Sequence, residues 1–257
     1  MTNRQRLLMA IKGEMPDVIP FAPRLDLWYS ANKSSGTLPE NYRDSSQDEI
    51  SRAEGWALHK INPAYQDVRG PEDHLHWGLG ILSFREMVFG YSLPPDVEVE
   101  IKENNGHTRI TYHTPKGAVS TCIVFTEQMR RAGVTGFAIE ECAIKGPRDY
   151  KPLAYIFENL KLYPDWDDFV RWEEGIDEDG LAFTMAGRAA SPMHHIQKYF
   201  IDATEFFFHY KDYHKEMKAL EESLCPFFDQ TIDIIARSPA SAVYWGANFD
   251  DMITYPS

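Results

Sequence analysis

Between residues 147 and 247 the chain alternates amphipathic segments with short apolar runs. That alternation constrains the fold more than any other feature of the sequence. The spacing of apolar residues predicts helices over 149–160, 165–175, 192–210 and 212–237, and strands over 181–187 and 242–247. Helices set between short strands imply parallel pairing through crossovers. Asp165 is placed to cap the second helix, and Pro239 follows the last one as a stop signal. The final apolar run, Ala242 to Gly246, passes into Asn248, Asp250 and Asp251. In an α/β barrel, a strand delivers its polar site residues in the loop after its C-terminal end. The expected fold class is therefore α/β: a (β/α)8 TIM-type barrel, one partial domain over 1–257. The expected barrel is incomplete at the C-terminus, because no further helices and strands follow residue 247. A barrel missing its closing strands keeps an unpaired edge and uncovered apolar faces. The fragment alone is accordingly expected to associate or to be poorly soluble.

The first half reads differently. Residues 2–13 place Leu7, Leu8 and Ile11 on one helical face, with Gly13 as the stop. Val18-Ile19-Pro20-Phe21 is a short strand candidate, and residues 30–45 are a polar loop. Ser46 with Glu49 three residues on forms a capping-box signature that opens a helix running to Lys60. Residues 62–95 are irregular. Over 96–126, Val97, Val99 and Ile101 alternate with charged residues, and Asn104-Asn105-Gly106 forms a hairpin turn. A second run returns through Tyr112, Pro115-Lys116-Gly117 turns again, and a third run reaches Phe125. The expectation is an antiparallel hairpin or meander inserted in the barrel, with no helix across 108–125.

Composition excludes several classes. The chain has 257 residues, a formal net charge of −13 and 43% hydrophobic residues. An acidic chain lacks the basic surface expected of nucleic-acid or anionic-membrane binding. No apolar run reaches the roughly 18–20 residues of a membrane span. No signal-peptide pattern opens the sequence, so the expected location is cytoplasmic. Cys122, Cys142 and Cys225 lie far apart without CxxC or CxH spacing, which indicates neither a disulfide framework nor a local zinc knuckle. Neither a Gly-rich phosphate loop nor a GxSxG elbow is present.

Barrel logic gathers residues that follow strands. Three sets qualify: Arg24, Asp26 and Trp28; Arg188, Ser191, His194 and His195; and Asn248, Asp250 and Asp251. Arginine forks onto anionic groups, and His and Asp serve as acids, bases or ligands. The alternative is local: an Arg24–Asp26 ion pair, and Asn248–Asp251 as a helix cap. His194 and His195 are adjacent on a helix, so at most one faces a site. His74-x-His76 with Glu72 and Asp73 has ligand-compatible spacing but no third ligand nearby, which fits packing or surface roles better. Phe206-Phe207-Phe208 fits helix packing. The acids Glu173, Glu174 and Asp177 to Asp179 fit a solvated loop.

The opening Arg4 to Pro20 resembles the first helix and strand approach of the uroporphyrinogen decarboxylase superfamily. Glu141 to Lys145 with Asp149, Leu181 to Gly187 leading into Ser191-Pro192-Met193, and Tyr244 to Asp251 are similar to later landmarks of that superfamily. In the true decarboxylases an Arg-rich MRQAGRY segment holds substrate carboxylates. Here that place reads Ala22-Pro23-Arg24-Leu25-Asp26-Leu27-Trp28, with one arginine. The resemblance is closer to the cobalamin-dependent methyltransferases. It implies methyl transfer from a small, O-methyl-type donor to a corrinoid protein partner, with zinc held by residues downstream of Ser257 and no metal ligand within 1–257. Cleaving a methyl ether requires activation of the leaving oxygen. In that reading His194, Asn248 and Asp250 are catalytic, and Arg24, Asp26, Trp28 and Asp251 bind substrate. The alternatives are a polycarboxylate decarboxylase, and an inactive binding or assembly piece.

Overall fold

The computed structural model describes residues 1–61, 75–81, 88–132, 134, 136–187 and 189–245, without the side chains of 59–61. The first helix, α1 (Asn3–Ile11), is closed by a capping box in which Thr2 accepts from the Gln5 amide and Gln5 reaches back to Thr2. It is followed by α2 (Asp26–Ser35) and α3 (Gln47–Ala53). The expected Ser46–Glu49 box forms, with Ser46 N–H donating to Glu49 Oε2 at 2.7 Å. The helix stops earlier than expected. Trp56 N–H closes on the Ser51 carbonyl at 2.8 Å, and the chain turns into β1 (Leu58–Ile61).

The segment expected as a strand at 18–21 does not form one. Among the described residues its one backbone link to a later segment is Ala57 N–H to Phe21 O at 2.9 Å. Pro16, Pro20 and Pro23 remove the amides that a ladder needs.

Next come β2 (Phe89–Ser92), β3 (Glu98–Asn104), β4 (His107–Thr114), β5 (Gly117–Val124), α4 (Glu127–Arg131) and β6 (Ala138–Glu141). Strands β3-β4-β5-β6 form one antiparallel sheet in that order, so the expected 96–126 meander is present and gains a fourth strand. Asn105 and Gly106 both take positive φ, 48° and 81°, the conformation of a tight hairpin turn. Ile110, Tyr112, Val119 and Ile123 point inward and are buried, while His107, Arg109 and His113 lie on the opposite face.

The remaining elements are α5 (Tyr150–Asn159), β7 (Lys161–Pro164), α6 (Asp167–Ile176), β8 (Gly180–Met185), α7 (Pro192–His195), α8 (Ala203–Asp212), α9 (His214–Ala236) and β9 (Val243–Tyr244). Strand β7 pairs antiparallel with β2. The expected parallel pairing is seen in the three-stranded sheet β1-β8-β9, with β8 at its centre. Leu58 faces Gly180 across that sheet, and a Cβ at Gly180 would lie 2.0 Å from the Leu58 carbonyl oxygen. Only glycine permits that approach. The fold is thus mixed α/β. Its sheets are small, and none is closed among the described residues.

Two helix expectations change in detail. The helix expected over 192–210 breaks into α7, a π-helical turn at Ile196–Phe200, and α8. The Phe200 carbonyl accepts from Ile144 N–H at 2.6 Å instead of continuing a helix, and Asp202 caps α8 through Thr204 N–H. Asp165 caps nothing: α6 starts after Trp166 without a side-chain cap. Of the three consecutive phenylalanines, Phe206 is buried, whereas Phe207 and Phe208 are exposed.

The main core lies between the inner face of the meander and helices α5 and α9. Phe157, Phe169, Phe200 and Leu153 are fully enclosed there. A smaller cluster joins Leu7 of α1 to Ala57 and Leu181, with Ala22, Phe183 and Ala242 against it. Arg4 fixes α1 there by pairing with Glu173 at 2.8 Å, and Arg52 pairs with Asp179. Two of the acids expected to be merely solvated therefore serve as ion-pair partners.

Candidate functional site

In open α/β sheets, ligands gather beyond the carboxyl ends of the strands. For β1, β8 and β9 those ends lead into 62–74, Arg188 and 246–257, which lie outside the described residues. Asn248, Asp250 and Asp251 fall there, as do Glu72, Asp73 and His74.

Arg24 and Asp26 form the local ion pair, at 3.1 Å. They do not follow a strand. Asp26 opens α2, where its charge faces the helix N-terminus, and Trp28 sits one turn in and is partly exposed.

His194 follows β8 at the start of α7. Ser191 Oγ accepts from its backbone amide at 3.2 Å, and its ring Nδ1 accepts from Ala190 N–H at 3.1 Å. Because Nδ1 is an acceptor, the neutral ring carries its proton on Nε2. Burial, helped by the Lys198 charge, lowers the pKa of His194 and favours that neutral form.

The other histidines of interest are core groups. His195 is buried among Phe157, Tyr199, Phe200, Phe227 and Phe228, and its Nε2 donates to Leu79 O at 2.8 Å. Burial lowers its pKa to about 4. His76, the described member of the His-x-His pair, is buried with Nδ1 2.8 Å from the Tyr112 hydroxyl, and burial lowers it to about 4 as well. His209 pairs with the Tyr150 hydroxyl at 3.0 Å.

A second polar cluster lies on the outer face of the meander, and the sequence pattern did not single it out. His107 starts β4, Cys122 is near the end of β5, and Glu140 lies in β6. A register shift between Cys122 and Ile123 pairs those residues with Glu141 and Ile139, and so leaves Glu140 as the extra residue of a bulge. Glu140 Oε2 accepts from His107 Nδ1 at 2.8 Å and from Cys122 Sγ at 3.3 Å. Those bonds lower the pKa of Glu140, the His107 bond most. The Cys122 thiol is pushed up to about 11, by burial first and by Glu140 second. Beside them, Arg109 forks onto Glu141 at 2.7 and 2.8 Å and draws that carboxyl down to about 2. Lys145 Nζ reaches Glu141 at 3.1 Å and the Ser120 carbonyl at 2.6 Å.

The three ligand atoms of His107, Cys122 and Glu140 lie within 4.8 Å of one another. They form the one such group of three metal-competent side chains among the described residues. The strand-end region presents no comparable set among those residues, so nothing described there fits the zinc that the resemblance implies.

One signal for the cluster was present in the sequence. The Pro115-Lys116-Gly117 turn fixes the register Arg109–Cys122, which puts His107 two positions along the same face. The third member depended on β6, which was not expected. Among the described residues, no helix is long and apolar enough to cross a membrane. No family model, no curated protein and no solved structure matches this chain.

Proposed function

We propose that the chain belongs to a (β/α)8-barrel enzyme of the uroporphyrinogen decarboxylase type, on its methyltransferase branch. The reaction is transfer of a methyl group from a small O-methyl donor to a corrinoid protein partner. The observation that carries this reading is His194. It stands just after the central strand of a parallel sheet, in a fixed tautomer with its proton on Nε2. The parallel order β1-β8-β9 and the antiparallel insertion between β1 and β8 support the same architecture.

A corrinoid partner supplies the nucleophile that accepts the methyl group. The residues of this chain then have the leaving oxygen to manage. In this reading His194 Nε2–H donates to that oxygen. The roles of Asn248 and Asp250 in catalysis, and of Trp28 and Asp251 in holding the donor, rest on the resemblance alone. Arg24 is already neutralised by Asp26, which disfavours a polycarboxylate substrate and therefore the decarboxylase alternative.

The test is an assay of the full-length protein with aryl methyl ether or methanol and a reduced corrinoid acceptor. Methylcorrinoid formation is expected, with kcat falling about 10²–10⁴-fold in His194→Gln, the usual contribution of a positioned acid or base. Decarboxylation of uroporphyrinogen, or methyl transfer unaffected by His194→Gln, would overturn the reading.

A further inference from the structure

We infer that His107, Cys122 and Glu140 form a binding site for a zinc-type dication on the outer face of the meander. This rests on the cluster itself and is independent of the function proposed above. Two hydrogens, on His107 Nδ1 and Cys122 Sγ, converge on the single oxygen Glu140 Oε2. A dication occupying that point replaces both. The imidazole proton moves to Nε2, the thiol proton leaves to solvent, and the carboxylate stays ionised, so one proton is released per ion bound.

All three ligand separations have to adjust. Tetrahedral zinc with N, O and S ligands at ordinary bond lengths separates the ligand atoms by about 3.3–3.6 Å. The present separations of 2.8 Å and 3.3 Å to Glu140 Oε2 therefore widen by about 0.3–0.5 Å, and His107 Nδ1 and Cys122 Sγ, within 4.8 Å of each other, settle at about 3.6 Å. A nitrogen, sulfur and oxygen set suits zinc and disfavours calcium or magnesium, which take oxygen ligands.

The surroundings also fit. Cys122 is only 4% exposed although it lies on the polar face of the sheet. The side chains of His107 and Glu140 are 42% and 46% exposed, which leaves a fourth position open to water. The charge of Arg109 is partly offset by its fork onto Glu141. The site spans three strands, and Glu140 can join it only because the bulge turns it out of the ladder.

The experiment uses chelator-stripped protein titrated with Co(II), read by the thiolate-to-cobalt charge-transfer band, and with Zn(II) against a colorimetric chelator. One ion per chain is expected. Cys122→Ser loses the cobalt band, and His107→Ala and Glu140→Gln weaken zinc by more than the about 10–100-fold that an outer-shell change costs. Cys142→Ser and Cys225→Ser keep the band. His107 is exposed, so if Cys122→Ser melts early, His107→Ala decides. A cobalt band that survives Cys122→Ser or vanishes in Cys225→Ser, zinc affinity unchanged in His107→Ala, or no uptake of either ion would each overturn the site.

Discussion

The antiparallel meander and the parallel sheet solve the same burial problem by opposite means. In the meander, β4 and β5 are flanked on both edges, two tight turns set the register, and β4 divides cleanly into a buried and a polar face. In the parallel sheet, among the described residues, only β8 has neighbours on both sides, and β9 contributes two residues. Its pairings join segments 58–61, 180–185 and 243–244, far apart in sequence, so the chain must close long loops before any ladder bond forms. Turn chemistry makes a sheet locally self-specifying. Parallel pairing makes it depend on everything packed around it. The polar clusters follow suit: the meander carries a preassembled one, whereas the strand ends present His194 alone among the described residues.

Two buried histidines, one against the meander and one in the aromatic core, give a matched test. His76 belongs to the meander through Tyr112, and His195 lies in α7 behind the aromatic core. Both have pKa values near 4 in the folded state, set by burial. Between pH 6.5 and 4 the unfolded chain takes up protons that the native state refuses, so stability rises with pH there and falls as pH drops. From pH 7 to pH 5 the loss is on the order of 2 kcal/mol per histidine. In that interval Asp17 and Glu141, whose folded pKa values lie far lower, remain ionised. Urea melts over this range are expected to show a slope that grows as pH falls and nears two protons at pH 5, and His195→Leu is expected to halve it. A flat profile would mean that neither ring is buried as described.

The parallel sheet is expected to respond most sharply to Gly180→Ala, because the added Cβ meets the Leu58 carbonyl at 2.0 Å and backbone must move. A loss of about 3 kcal/mol or more by urea melt is the expected outcome, at the upper end for one substitution. A wild-type midpoint would show that β1 and β8 do not lie in this register. The corresponding change in the meander is Gly106→Ala. It strains a φ of 81° and brings Cβ within 2.7 Å of Phe125 O, and is expected to cost about 1–2 kcal/mol. Smallest is Arg109→Lys, which exchanges a fork for a point charge on a solvent-facing pair. It is expected to change stability by less than about 1 kcal/mol, measured in the same melts.

The contrast also explains what was legible in the sequence. Asn104-Asn105-Gly106 and Pro115-Lys116-Gly117 announce their turns locally, and the meander was readable to within a residue or two. Helices α5, α6 and α9 were readable from periodicity. The break inside 192–210 was not, because part of its cause is tertiary: the Phe200 carbonyl is captured by Ile144 N–H. Asp202, a helix cap, was the local signal of that break. The strand expected at 18–21 overlooked three prolines, and with it went the idea that Arg24 and Asp26 follow a strand. The His107–Cys122–Glu140 cluster required register across one turn, and a bulge against a four-residue strand that propensity does not announce.

Native-state hydrogen exchange tests the contrast most directly. Amides of β4 and β5, among them Ile110, Tyr112, Thr121 and Ile123, are expected to exchange only through global unfolding. Thr184 and Ala186, bonded to the Ala242 and Tyr244 carbonyls at 3.3 and 3.1 Å, are expected to exchange through smaller openings of the β8–β9 edge. Protection of Thr184 and Ala186 equal to or greater than that of Tyr112 and Ile123 would contradict the account.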